Sequence, residues 1–185
     1  MGLNREEALK LIKEKVKRRN IIYHMLAVEA IMRALARHLN GDEELWGLTG
    51  LLHDLDFDET MENPERHGLL TAEMLRGKVP EEVLRAIIAH NYERTGVEPE
   101  TPMEKALIAS DAISGLIIAC ALVMPSKKLS EVKVRTIKRK FKDKTFAKGA
   151  SRDRIMVCEE LGLPMDEFFR IALEALQGIS EDIGL

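Results

Sequence analysis

The sequence predicts an all-α fold, a bundle of about eight or nine helices. Apolar residues recur with a 3.6-residue period through nearly every segment, and no segment shows sustained strand alternation. Leu, Ala, Ile, Glu and Lys dominate while aromatics make up only 4%, a composition that favours helix over strand. The periodic segments also begin and end on recognisable caps.

Asn4 with Glu7 forms a capping-box pattern that opens a helix running to about Arg18. A second helix carries Ile21, Ile22, Met25, Ala27, Val28, Ile31 and Leu35 and stops near Asn40-Gly41. Asp42 caps a third, which passes Trp46 and Leu52 and ends at His53-Asp54. The acidic stretch from Leu55 to Glu65 breaks the period and reads as a loop. His67 begins a short helix ending near Gly77, and Pro80 opens another that reaches His90. Thr101-Pro102-Met103-Glu104 combines an N-cap, a proline at N1 and an acidic N3, and starts a helix past Asp111 to Met124. Ser130, Ser151 and Pro164 mark three further starts.

At 185 residues, 45% hydrophobic and 32% charged, the chain fits one globular domain over 1–185. The charged N-terminus lacks the apolar core of a signal peptide, and the longest uncharged apolar run is the 13 residues Ala112 to Met124. A cytoplasmic protein without a membrane partner is expected, with Cys120 and Cys158 as buried, reduced thiols. The net charge of −3 is unevenly spread. Lys133 to Arg154 holds ten Lys or Arg against Asp143 and Asp153, a local +8.

The candidate chemistry lies in an ordered set of His and Asp. His53-Asp54 closes an apolar helix; His24 lies upstream, and His67, His90 and Asp111 follow. Neutral imidazole and carboxylate are the ligands that divalent cations take from proteins. Each residue also has an ordinary reading. A lone mid-helix His24 is most often a hydrogen-bonded core residue, and His67 and His90 at helix boundaries suit capping. Asp111 is harder to explain that way: its helix is apolar on most faces, and a buried carboxylate needs a cation or several donors. His53 and Asp54 stand about 100° apart around a helix, so both reach one ion most readily at a helix end. His38, near a helix C-terminus, is explained by the dipole alone.

The ordered set resembles the HD-domain superfamily of metal-dependent phosphohydrolases over roughly residues 20 to 118. Leu51-Leu52-His53-Asp54-Leu55 is similar to its central motif, Ala109-Ser110-Asp111-Ala112 to its last, and His67-Gly68 with Ile87-Ile88-Ala89-His90-Asn91 to the branch with added histidines. The resemblance implies one metal held by His24, His53, Asp54 and Asp111, and a second shared through Asp54 with His67 and His90. It places the metal-site core at about 20–118, with the helices of 126–185 packed on it. One or two divalent ions from among Mn, Fe, Co, Ni and Zn, with Mg also open, are the expected cofactors. The chain departs from some branches: Asp56-Phe57-Asp58-Glu59 stands where a Lys follows the motif, and Tyr92-Glu93-Arg94-Thr95 lacks the cyclic-dinucleotide phosphodiesterase signature.

The function expected is hydrolysis of a phosphomonoester or phosphodiester of a nucleotide or other small metabolite. Asp54 is at its centre, and Asp56 or Asp58 is considered as proton donor, against the commoner reading of a solvated acidic loop. Two alternatives stand beside it: a di-iron oxygenase on the same ligands, and a non-catalytic nucleotide-binding regulatory module. Arg18 and Arg19, and Lys148 and Arg152 flanking Gly149-Ala150-Ser151, are the expected contacts to substrate phosphate. The basic segment otherwise reads as a solvated helix face, so a nucleic-acid partner is not expected. Self-association is left open.

Overall fold

The computed structural model describes residues 2–185, and among these there is no strand. The first half comprises α1 (Arg5–Lys15), α2 (Arg19–His38), α3 (Glu43–Leu52), the single turn α4 (Phe57–Thr60), α5 (Leu69–Leu75) and α6 (Glu81–Ala89). A second single turn α7 (Tyr92–Thr95) leads to α8 (Pro102–Leu122), then α9 (Val134–Lys142), α10 (Arg152–Met156) and α11 (Met165–Gly178). The expected all-α class is therefore found, with three of the helices only one turn or slightly more.

All four expected caps are made. The Asn4 and Thr101 side chains accept from the N–H of Glu7 and Glu104 in full capping boxes, and Asp42 and Ser151 accept from Leu45 and Arg154. The boundaries differ in three places. α1 stops at Lys15 because Val16 turns extended into the core and the Lys17 N–H donates to Asp58 rather than back along the helix. The stretch 55–65 is not a loop throughout but contains α4 and the 3-10 turn Pro64–Arg66. Ser130 lies in another 3-10 turn, Leu129–Glu131, and α9 begins only after the buried Val132.

Two hydrophobic clusters hold the helices. The larger joins α2, α8 and α11 through residues such as Ile31, Leu35, Leu116, Phe168 and Leu176. The smaller joins α1, α3, α5 and α6 through Ile12, Leu52, Leu75 and Ile87. Gly50 lets α2 and α3 approach closely: a Cβ there would lie 2.9 Å from Met32 Cγ and 3.0 Å from the Val28 carbonyl. α8 is long and apolar enough to cross a membrane, yet most of it is buried against α2, α6, α9, α10 and α11. It is the central helix of the core. Cys120 and Cys158 are buried free thiols.

Candidate metal centre

The six His and Asp residues singled out in the sequence come together in one cluster. His24 is in the second turn of α2, Asp111 is in the middle of α8, and His53 caps α3. After His53 the chain tightens into consecutive turns, with Leu55 N–H bonded to Leu52 O and Phe57 N–H to Asp54 O. That change of pitch turns Asp54 toward the same space as His53 instead of 100° away. His90 caps α6, and His67 precedes Gly68, whose φ of +88° begins α5. A Cβ on Gly68 would lie 2.9 Å from the Ile87 carbonyl, so the glycine lets the His67 turn seat against the end of α6.

Asp54 divides the cluster. Its Oδ2 lies 3.4 Å from both His24 Nε2 and His53 Nε2, while its Oδ1 lies 3.1 Å from His67 Nε2 and 3.6 Å from His90 Nε2. Asp111 Oδ1 joins the first side, 2.8 Å from His24 Nε2 and 3.6 Å from His53 Nε2. The ligating atoms of His24, His53 and Asp111 fall within 4.8 Å of one another, as do those of His53, Asp54 and His90. His53 belongs to both trios, so the donors form one continuous site with two ends.

Every imidazole is aimed by its other nitrogen. His53 Nδ1 donates to Gly50 O at 2.7 Å and His90 Nδ1 to Ile87 O. His67 Nδ1 donates to Asp56 Oδ1 at 2.7 Å. His24 Nδ1 donates to Ser114 Oγ at 3.1 Å, and that hydroxyl in turn donates to the Asp111 carbonyl. All four Nε2 atoms therefore face inward as potential ligands, the arrangement that outer partners impose on metal-binding histidines. Two observations show that this interior suits a cation. His53 Nε2 is buried with no hydrogen-bond partner, and His67 Nε2 and His90 Nε2 face each other at 3.1 Å.

The electrostatics agree. Burial disfavours charge on Asp54 and Asp111, but the surrounding histidines outweigh it and hold both carboxyls well below the usual range. Burial likewise opposes a proton on His53 and His67, yet the facing carboxylates raise them to about 9 and about 10. His90 is lowered by its burial and by the neighbouring imidazoles. Buried carboxylates that demand positive charge are what a divalent ion satisfies.

The other expected residues are placed differently. Asp56 is fully buried, and its carboxylate accepts from His67 Nδ1 and from the N–H groups of Gly68 and Thr71, so it is turned to the loop behind His67 rather than to open space. Asp58 accepts from the Lys17 N–H and lies 3.6 Å from Arg18 Nε. Neither acid lines the opening beside His24 and Asp111. Arg18 and Arg19 are exposed and do not line it. Arg152 is spent on structure: its guanidinium donates to the carbonyls of Lys140, Phe141, Asp143, Phe146, Ala147 and Ala150. Lys148 lines a neighbouring groove with Lys144.

A cleft of about 400 Å³ opens beside His24 and Asp111 and is walled by residues 147–154. The residue that sequence reasoning missed is Arg154, which lines this cleft. It lies at the end of the basic segment, two positions beyond Arg152.

The chain matches the family model for the HD domain over residues 21–116, which is just over half its length. It belongs to the HD domain family. That is the superfamily of metal-dependent phosphohydrolases, and the match contains all six clustered residues. Two curated relatives are both named Ribonuclease Y. The protein from Desulforudis audaxviator is 35% identical over 99 residues, covering 51% of this chain and 18% of the relative. The protein from Nitratiruptor sp. is 34% identical over 119 residues, covering 62% of this chain and 22% of the relative. The chain thus spans about a fifth of the length of these relatives. No solved structure matches the chain.

Proposed function

We propose that this HD-domain chain is a metal-dependent hydrolase of a phosphomonoester or phosphodiester carried by a nucleotide or other small metabolite. The observation that carries the reading is the Asp54 carboxylate, whose two oxygens each face a separate pair of imidazole nitrogens. His24, His53, Asp54 and Asp111 would hold one ion, and Asp54, His67 and His90 a second. Bound there, divalent ions supply a water acidified toward neutral pH and a clamp for phosphoryl oxygens.

The protein's own part is orientation. Gly50 O, Ser114 Oγ, Asp56 and Ile87 O fix the tautomer and direction of His53, His24, His67 and His90. The buried Asp54 and the partly exposed Asp111, both with pKa held well below the usual carboxylate range, keep negative charge where the cations are needed. The cleft beside His24 and Asp111 gives a phosphate ester access to one end of the cluster. The relatives named Ribonuclease Y make a phosphodiester of RNA one substrate to include, although only about a fifth of their length is shared.

The test is a screen of phosphomonoesters, cyclic and linear phosphodiesters and short RNA, each with Mn, Fe, Co, Ni, Zn and Mg. Elemental analysis of the purified protein accompanies it. Metal-dependent release of phosphate or of a shortened ester supports the reading. Full metal occupancy with no turnover of any of these, or oxygen consumption by an iron-loaded form, overturns it.

A further inference from the structure

Much of the cleft wall, from Ala147 to Arg154, comes from residues outside the family match. It stands beside Gly115 on α8, one turn beyond Asp111, which neighbours Ala150, and Arg154 also lines the cleft. Of the side chains lining this cleft, only Arg154 carries a fixed positive charge. It is oriented from behind: the guanidinium donates to the His90 carbonyl and lies over the Tyr92 ring, 5.4 Å from its centroid. The Glu93 carboxylate stands at 3.9 Å, beyond hydrogen-bond distance, and Arg154 Nε is buried without a partner. A guanidinium has five N–H donors, so most of this one's capacity is unspent. Arg152, two residues earlier, shows the contrast, with its donors distributed over six backbone carbonyls.

Gly115 supplies room rather than backbone freedom. A Cβ placed there meets only Ala150 Cβ, at 3.9 Å, so the space above it is open. The cleft lies within the range of small-molecule sites, about 300–1,000 Å³. We infer that Arg154 and the wall of small residues around Gly115 form the half of the site that selects a small organic phosphate: Arg154 holds its anionic group, and the organic part lies over Gly115. This rests on the phosphohydrolase reading for what happens to the ligand, but not for its binding. Arg serves this purpose better than Lys because its planar fork can pair two oxygens of one phosphate.

The experiment titrates inorganic phosphate and a nucleoside monophosphate into the metal-loaded protein by calorimetry, with metal content measured for each variant. Arg154→Ala is expected to keep its metal and to weaken phosphate binding at least about tenfold, with Arg154→Lys in between. Arg154→Gln keeps a donor for the His90 carbonyl while removing the charge, and decides the case in which the alanine variant disturbs His90. Gly115→Leu is expected to keep metal and inorganic phosphate binding but to lose the nucleoside monophosphate. Lys144→Ala, in the neighbouring groove, should bind both as wild type. Unchanged phosphate affinity in Arg154→Gln at full metal content overturns the role of Arg154. Unchanged nucleotide affinity in Gly115→Leu overturns the placement of the organic part. If wild type binds both ligands yet hydrolyses no ester, the phosphohydrolase reading fails while these titrations still decide the binding site.

Discussion

Asp56 Oδ1 lies 2.7 Å from His67 Nδ1, and the other oxygen of the same carboxylate accepts from the backbone N–H groups of Gly68 and Thr71. One buried side chain thus fixes both the imidazole and the start of the helix behind it. Burial works against its charge, but His67 and the two backbone donors hold its pKa below the usual range.

Asp56→Asn is therefore expected to weaken metal binding at the His67/His90 end by about 10–100-fold, while the His24/Asp111 end keeps its ion. Calorimetric metal titration of the variant checks this. If both ends bind as in wild type and only the acidic or basic limb of a pH–rate profile moves, Asp56 is a proton donor and not a positioning residue.

Glu104 makes a prediction about stability and acid. Its buried carboxylate pairs with Arg85 Nη1 at 2.5 Å and accepts from the N–H groups of Glu100 and Thr101. Burial alone would raise its pKa; these partners outweigh it and lower it from 4.5. The stabilisation is complete above that ordinary value and is lost as the pH falls through the depressed one. Glu104→Gln should cost about 1–3 kcal/mol at pH 7 and less as the pH drops below about 4.5. Chemical denaturation across that range measures it; a cost that does not shrink on acidification contradicts the pairing.

Burial pushes the Cys120 thiol up to about 11 and the Cys158 thiol up to about 12. Since the thiolate is the reactive form, the native protein at pH 8 should resist a thiol reagent that labels both residues after denaturation. Rapid labelling of either in the native state would show that the core around α8 and α10 opens locally.

The helical class, the long helices and the four caps were legible because each rests on local physics: period, side-chain acceptor and proline position. His24, His53, Asp54 and Asp111 were legible because order along the chain carries family information, and because a carboxylate in the apolar helix of Asp111 asks for a cation or several donors. The short elements were not. α4 and α7 have four residues each, too few for a period to register, and α1 ends early because of a contact between Lys17 and Asp58 that is 41 residues apart in sequence. The contacts of Asp56 were not legible, because its partners, Gly68 and Thr71, become neighbours only when the loop folds back. Among the basic residues, charge pattern could not tell Arg152, which ties a loop together, from Arg154, which lines the cleft.

The central claim is that Asp54 bridges two metal-binding ends of one site. Its most direct test is metal stoichiometry in three proteins: wild type, His67→Ala/His90→Ala and Asp54→Ala. Two equivalents are expected for wild type, one equivalent with much reduced turnover for His67→Ala/His90→Ala, and none at comparable affinity for Asp54→Ala. A His67→Ala/His90→Ala protein that keeps both the full metal content and the full activity of wild type would contradict it.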